Sequence, residues 1–226
     1  MRVLALDTST DLASVAVVVD GGLQAEVTAR AAARHGETLL PLVAEALDRA
    51  GLGRREYDLV VVGLGPGSFT GTRIGVSTAK GLVLANDIPI VGVPTLRVLA
   101  RAMPGAWMAA AVDAHHGEVF AALYQRRPDR GLAEVVKPFH RPPEEAARVL
   151  ERNAPRPFDL AGSAVRRYPE RFRPAGGRPL MPVYDTPRGA LLALEGLTLY
   201  LSRGPDDRAA LEPMYLRPSD AVAPRG

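Results

Sequence analysis

The feature that most constrains this chain is a glycine-rich segment at residues 63–75, GLGPGSFTGTRIG. It follows a short apolar run and leads into an apolar-periodic stretch that ends near Asn86. A strand, a glycine-rich turn and a helix in this order bring backbone N–H groups to the helix N-terminus, where an anion can bind. The segment therefore predicts either a tightly packed turn or a place where a phosphate group approaches the backbone.

Small residues continue from this turn into the predicted helix, at Gly71, Gly75 and Ala79. Residues four apart lie on one face of a helix. Each interior glycine costs about 0.5–1 kcal/mol relative to alanine, so a compensating contact is expected. We predict that this stripe of small residues lies against another helix.

Composition excludes several classes of protein. The chain has no cysteine, which excludes disulfides, a thiol nucleophile and a cysteine-based metal site. Asp7 interrupts the N-terminal apolar run too early for a signal peptide, and no run approaches the roughly 18 apolar residues of a membrane span. A soluble, cytoplasmic protein with no membrane partner is expected.

The second half of the chain repeats the pattern of the first half. The apolar run at residues 3–7 ends in Asp7, and the run at 107–113 ends in Asp113; a turn and a second apolar run follow each. Residues 158–163 resemble, more weakly, the strand and loop of 58–68. A long period that occurs twice predicts two related α/β lobes, at residues 1–104 and 105–226.

The second half also carries a cluster of arginines, with a single glutamate among them. Such a cluster is typical either of a surface that contacts phosphate groups or of an ordinary solvated face. The candidate residues for contact with a nucleic acid are Arg166, Arg167, Arg171 and Arg173.

Several motifs together resemble the superfamily of actin-like, sugar-kinase and heat-shock ATPases, and within it the chain is similar to the bacterial TsaB/YeaZ family. The resemblance covers nearly the whole chain. It rests on LALDTS at 4–9, HGETLLP at 35–41, GPGSFTGTRIG at 65–75, VPTL at 93–96, DAHHGEVF at 113–120 and EPMYLR at 212–217. It implies an α/β fold of two RNase H-like lobes, each a mixed five-stranded sheet flanked by helices, with a degenerate second lobe.

The same resemblance implies a non-catalytic scaffold or activating subunit. The TsaB/YeaZ family is required to make N6-threonylcarbamoyladenosine at adenosine 37 of tRNAs that read ANN codons. Its expected partners are the catalytic homologue TsaD, in a heterodimer, and the ATPase TsaE in the same pathway. A homodimer is expected when the chain is alone, and contact with tRNA through the complex.

The histidine pattern departs from that of the catalytic relative. TsaD binds metal through two histidines four residues apart on its first helix, a spacing that puts both imidazoles on one face. Here His35 is followed four residues later by Leu39. The other histidines, His115, His116 and His140, offer no matching pair. We therefore expect no catalytic residue and no metal site.

Nucleotide binding is expected to be weak. ATP in this superfamily is held by both lobes, with a glycine pair opening a helix in the second lobe. Gly176 and Gly177 are flanked by prolines, which argue against a helix start. Asp7 matches the acidic residue that lies near metal and phosphate in such ATPases. It is equally well explained as a residue that forms a turn, with its side chain bonded to the backbone of Ser9 or Thr10. The degenerate site, with no cofactor beyond weakly bound ATP or ADP, comprises Asp7, Thr8, Gly65, Gly67 and Ser68.

The predicted partner interface joins two helices, near residues 37–50 and 70–86, in a four-helix contact with the catalytic homologue. Its residues are Leu39, Leu42, Val43, Ala46, Gly71, Thr72, Gly75, Val76 and Ala79. Two other functions stay open: an ATP-dependent phosphotransferase of the sugar-kinase class, and a glycoprotease-like metallopeptidase. A plain RNA-binding module is a further reading of the basic second half, although aromatic residues are only 5% of the chain.

Overall fold

The computed structural model describes residues 1–31, 34–128, 131–173 and 176–216. A first mixed sheet has the strand order β3-β2-β1-β4-β5. β1, β2 and β3 are antiparallel, and β4 and β5 run parallel to β1. Asp20 and Gly21 both have positive φ, which suits a tight hairpin between β2 and β3. The strands are β1 (Arg2–Asp7), β2 (Leu12–Val19), β3 (Gly22–Arg30), β4 (Leu59–Gly63) and β5 (Ile90–Val93).

The second sheet repeats this topology, which confirms the two related lobes predicted from the sequence. Its order is β10-β9-β6-β7-β8, with an antiparallel meander of three strands and two strands parallel to the first of them. The strands are β6 (Trp107–Asp113), β7 (Val119–Arg126), β8 (Leu132–Arg141), β9 (Phe158–Ala161) and the short β10 (Gly177–Pro179). Gly177 thus begins a strand and not a helix, as its flanking prolines predicted.

Helices cover both sheets. α1 and α2 pack against one face of the first sheet and against each other, and α7 packs against the opposite face. α4 and α5 pack on the second sheet. The helices are α1 (His35–Arg49), α2 (Phe69–Asn86), α3 (Thr95–Ala102), α4 (Pro143–Asn153), α5 (Ser163–Arg167), α6 (Pro169–Phe172) and α7 (Gly189–Arg203).

Two helices lie on the lobe to which the chain order does not assign them. In α3, Leu96 and Leu99 pack in the core of the second sheet with Met108. In α7, Leu192 packs in the core of the first sheet, and a Cβ on Gly196 would lie 2.2 Å from a methyl group of Val61. The predicted division at residues 104 and 105 is therefore wrong for both helices, because each lobe buries a helix that belongs to the other half of the chain.

The helix α7 was not predicted. Its sequence, GALLALEGLTLYLSR, is apolar on nearly every side and lacks the alternation of apolar and polar residues that marks a surface helix. α7 is only 15 residues long. Within the described ranges, no helix combines the length and the apolar character that crossing a membrane requires.

Candidate functional site

A cleft of about 600 Å³ lies between the two lobes. It sits where β1 and β6 end, at the carboxyl edges of the two sheets, which is where open α/β sheets bind ligands. Both lobes contribute polar side chains. They include Ser9, Thr10, Arg30 and Ser68 from the first lobe and Asp113, His115, Ser163, Arg166, Arg167 and Asp185 from the second.

Asp7, the first candidate for nucleotide contact, lies behind the wall of this cleft and is fully buried. Its carboxylate accepts hydrogen bonds from the Ser9 amide at 2.8 Å, from the Ser9 hydroxyl at 2.6 Å and from the Thr95 hydroxyl at 3.3 Å. Burial raises its pKa, and the hydrogen bonds from Ser9 and Thr95 offset only part of that rise. These contacts are those of a turn former, the other interpretation that the sequence left open.

Five residues were predicted for the degenerate nucleotide site, and the structure divides them. Gly67 and Ser68 line the cleft. Asp7, Thr8 and Gly65 are buried and do not line it, so their prediction as nucleotide contacts is wrong for this structure. Even Ser68 is committed to the fold, since its hydroxyl caps α2 by accepting from the Gly71 amide at 3.2 Å.

The glycines of the segment fit the tightly packed turn, one of the two alternatives that the sequence left open, and not a contact with a second helix. A Cβ on Gly67 would lie 2.1 Å from the Ser9 carbonyl oxygen, and one on Gly71 would lie 2.1 Å from the Thr8 carbonyl oxygen. A Cβ on Gly75 would lie 2.4 Å from the Thr8 hydroxyl, which itself donates to the Gly71 carbonyl at 2.7 Å. Gly67, Gly71 and Gly75 therefore let α2 pack against the turn that follows β1, within one lobe.

The other residues of the predicted interface also lie inside the first lobe. All nine are buried, so as a solvent-facing surface this set is wrong: Leu39, Leu42, Val43, Ala46, Gly71, Thr72, Gly75, Val76 and Ala79. The periodicity marks the face of α1 and α2 that packs on the sheet. The outward face of the same helices carries Leu40 and Leu84, which are 55% and 70% exposed.

On the second-lobe side of the cleft, each arginine is paired with a carboxylate. Arg167 donates to Asp113 at 3.0 Å, and Arg166 donates to Asp185 at 2.9 Å. Asp113 also accepts from the Tyr168 hydroxyl at 3.3 Å, and Asp185 accepts from the Gly162 amide at 2.7 Å. These pairs neutralise most of the positive charge at this wall.

The remaining arginines predicted for nucleic-acid contact are paired as well. Arg171 lies 2.9 Å from Glu144, and Arg173 lies 2.9 Å from Glu170. Neither lines the cleft. A phosphate would have to compete with these carboxylates, so the contact of this cluster with tRNA stays a prediction that its pairing does not favour.

Most residues that line the cleft, among them Asp113, Arg30 and Asp185, were not predicted as site residues. Asp113 could have been found, because it ends β6 as Asp7 ends the equivalent strand β1. Arg30 and Asp185 carry no local sequence signal. They reach the cleft only because β3 and a 3₁₀ turn at Pro182–Asp185 both end at its mouth.

His35 and His140 both make contacts within the fold. His35 is buried, and its Nε2 lies 2.8 Å from the Thr10 carbonyl oxygen. Leu39, one turn further along α1, is part of the core. His140 is paired with Glu118 at 2.7 Å. Across residues 1–31, 34–128, 131–173 and 176–216, no group of three or more His, Cys, Asp or Glu side chains is arranged to hold a metal ion.

Replacing Asp7 by asparagine tests whether this carboxyl serves only the fold. A raised pKa means that folding favours the protonated form, so its contribution is fully present below the ordinary aspartate pKa of about 3.9 and is lost as pH rises through the raised value. We expect Asp7→Asn to be more stable than the parent at pH 7 and equal to it near pH 3.5. Urea denaturation at several pH values measures this difference. A variant that is less stable at pH 7 would show that the carboxylate is needed in its ionised form.

Comparison with known proteins places this architecture among tRNA-modification proteins. Residues 15–149 match the family model described as TsaD: tRNA N6-adenosine threonylcarbamoyltransferase. The tRNA threonylcarbamoyladenosine biosynthesis protein TsaB of Escherichia coli is 42% identical over 135 residues, which span 56% of each chain. TsaB of Haemophilus influenzae is 31% identical over 96% of this chain and 94% of its own length. The solved structure of YeaZ from Pseudomonas aeruginosa has a TM-score of 0.80 and 28% identity, and the match covers 95% of this chain and all of that one.

Proposed function

This chain belongs to the TsaB/YeaZ family of tRNA threonylcarbamoyladenosine biosynthesis proteins, and on that basis we propose that it is a non-catalytic subunit that supports TsaD. The product would be N6-threonylcarbamoyladenosine at adenosine 37 of tRNAs reading ANN codons. The site of action would be the cytoplasm, where tRNA is modified, with TsaE acting in the same pathway.

The observation that carries this proposal is made on α1, the helix that corresponds to the one bearing the metal ligands in TsaD. His35 is buried with its Nε2 against the Thr10 carbonyl oxygen, and the position of the second histidine is Leu39, inside the core. A tight metal site needs several ligands that converge on an open position. The phosphotransferase alternative gains nothing from Asp7, which is sealed from the cleft.

The outward face of α1 and α2 is the surface that we propose for the partner. The two helices pack side by side on one face of the first sheet. Leu40 on α1 and Leu84 on α2 are both largely exposed. Because TsaD is a homologue, an equivalent helix pair would meet this one, and a second copy of the chain would use the same surface in a homodimer. tRNA would be met through the complex.

Reconstitution tests the proposed function directly. The chain and the TsaD and TsaE proteins of the same organism are purified and supplied with tRNA and an activated threonylcarbamoyl donor, and threonylcarbamoyladenosine in tRNA is measured with each protein left out in turn. We expect no product without this chain and none from this chain in the absence of TsaD. Product formed without TsaD would make this chain the catalyst, and full activity without this chain would overturn the proposal.

The proposed partner surface has a matched control on the other side of the lobe. Leu201 on α7 is 74% exposed, like Leu84, but lies on the helix that covers the opposite face of the sheet. We expect Leu40→Asp combined with Leu84→Asp to abolish co-purification with TsaD, while Leu201→Asp leaves it unchanged. Native co-purification of the double variant would show that the partner binds elsewhere.

Nucleotide binding by the isolated chain is expected to be weak, with a Kd no better than high micromolar, equivalent to about −5 to −6 kcal/mol. The arginines of the second-lobe wall are paired with Asp113 and Asp185, and the hydroxyl of Ser68 is used as a helix cap. Isothermal titration calorimetry with Mg-ATP measures this affinity. Submicromolar, magnesium-dependent binding would require a functional nucleotide site in the cleft.

A further inference from the structure

The arginines of this protein divide into two groups by their partners. Those of the second-lobe cluster all face carboxylates, as Arg171 faces Glu144. In the first lobe, Arg30 lines the cleft and Arg73 lies on the first turns of α2. Within the described part of the chain, neither has a carboxylate within ion-pair distance. Unpaired guanidinium groups on a surface are suited to an anionic partner, which supplies the missing charge.

Two exposed aromatic rings accompany these arginines. The rings of Phe69 and Tyr215 lie 5.4 Å apart at an angle of 40°, and the Arg73 guanidinium lies 5.0 Å from the Phe69 ring centroid. Phe69 is 44% exposed and Tyr215 is 48% exposed. We call Arg30, Phe69, Arg73 and Tyr215 the aromatic–arginine surface.

The surface is held in place by the fold on both sides. Phe69 is the first residue of α2, directly after the cap Ser68, which lines the cleft together with Arg30. Tyr215 follows Met214, whose amide donates to the Leu64 carbonyl at 2.8 Å, and the same segment buries Leu211 in the core of the first lobe. The rings are therefore positioned before any partner arrives, which lowers the entropy cost of binding.

We propose that this aromatic–arginine surface binds a single-stranded stretch of RNA, an inference that rests on the proposed function because tRNA would be the RNA. Exposed bases would stack on the rings of Phe69 and Tyr215, and phosphates would contact the guanidinium groups of Arg30 and Arg73. Aromatic platforms beside positive charge are how proteins hold unpaired nucleotides without reading their sequence.

The chemistry favours RNA over a protein partner at this position. A protein helix would match the aliphatic residues Leu40 and Leu84, whereas unpaired arginines beside open rings match phosphates beside open bases. Asp11 also lines the cleft and would repel a phosphate near Arg30. Removal of this charge in Asp11→Asn is therefore expected to tighten RNA binding.

The test uses the complete complex of this chain with TsaD and a fluorescently labelled substrate tRNA, titrated at several salt concentrations. Phe69→Ala should weaken binding about 5- to 150-fold with an unchanged salt slope, and Phe69→Trp should retain the parent affinity. Arg73→Ala should lower the slope of log K against log salt by about 0.7 to 1. Arg171→Ala, a paired arginine, is the matched control and should change neither quantity.

Three results would overturn the inference. Parent affinity and slope in both Phe69→Ala and Arg73→Ala would remove the surface from RNA binding, and a lowered slope in Arg171→Ala would return that role to the second-lobe cluster. Loss of assembly with TsaD in Phe69→Ala and Phe69→Trp alike, with normal tRNA binding by the complex that still forms, would make it a protein contact. The proposed function is tested separately by the reconstitution. Full modification without this chain would overturn the proposed function, whatever the tRNA titrations show.

Discussion

Gly71→Ala is expected to destabilise the protein by about 3 kcal/mol, at the upper end of the range for overpacked sites. The added methyl group would lie 2.1 Å from the Thr8 carbonyl oxygen, a backbone atom at the end of a central strand. Backbone cannot rotate away as a side chain can, so either α2 or the turn after β1 must move. Equilibrium denaturation in urea measures the loss as a lower midpoint.

A second glycine of the same helix is the control. Gly81 is exposed, and a Cβ there would meet nothing within 4 Å. Gly81→Ala should therefore stabilise the protein by about 0.5–1 kcal/mol through helix propensity alone. If Gly71→Ala proved as stable as Gly81→Ala but lost its partner in gel filtration, the stripe would be an intersubunit contact after all. Gly75→Arg, with its Cβ 2.4 Å from the Thr8 hydroxyl, is expected to prevent folding of the first lobe.

Glu195→Gln is expected to cost about 3–5 kcal/mol, the usual penalty for breaking a buried ion pair. Glu195 is buried on α7, and the Nε of Arg97 on α3 lies 2.5 Å from its Oε1. Arg101 lies 3.7 Å from its other oxygen. Because α3 packs on the second sheet and α7 on the first, this cluster joins the two lobes, and thermal unfolding followed by tryptophan fluorescence and circular dichroism should show both lobes destabilised.

A double-mutant cycle separates the pair from simple loss of packing. Arg97→Met should cost a similar amount, because it leaves the buried carboxylate with only the more distant Arg101. The double variant Arg97→Met with Glu195→Gln should cost far less than the two single changes added together, since neither Arg97 nor Glu195 is then left as a charge without its partner. Additive losses would show that the two charges do not depend on each other.

Much of the fold could be predicted from local pattern. The apolar runs that end in Asp7 and Asp113 predicted both central strands, and the repeat of strand, turn and strand predicted two related lobes. These features depend on residues close in sequence, whose hydrophobic period and turn chemistry are visible in the chain itself. The sequence did not predict α7, because apolar residues surround this helix and no periodic pattern marks it.

Local sequence pattern could not show which residues the glycine stripe and the arginine cluster contact. The spacing of Gly71, Gly75 and Ala79 predicted a close contact, but at Gly71 and Gly75 the contact is with Thr8, some sixty residues away in the chain and adjacent only in the fold. The arginine cluster predicted positive charge, and the tertiary structure placed carboxylates such as Asp185 and Glu144 beside it. The sequence indicates that a small or charged residue needs a packing or ion-pair partner, whereas the tertiary structure determines which residue that partner is.

By itself, then, the sequence determined the strands, the two lobes, the absence of cysteine chemistry and the motifs of the TsaB/YeaZ family, because each is carried by residues near one another or by composition. The tertiary structure alone decided that α3 and α7 lie on opposite lobes from their chain order and that Asp7 is sealed from the cleft. It also decided that, among the residues that the structure describes, no carboxylate lies within ion-pair distance of Arg30 or Arg73. Those outcomes depend on burial of apolar area and pairing of charge over the whole molecule, which long-range packing sets.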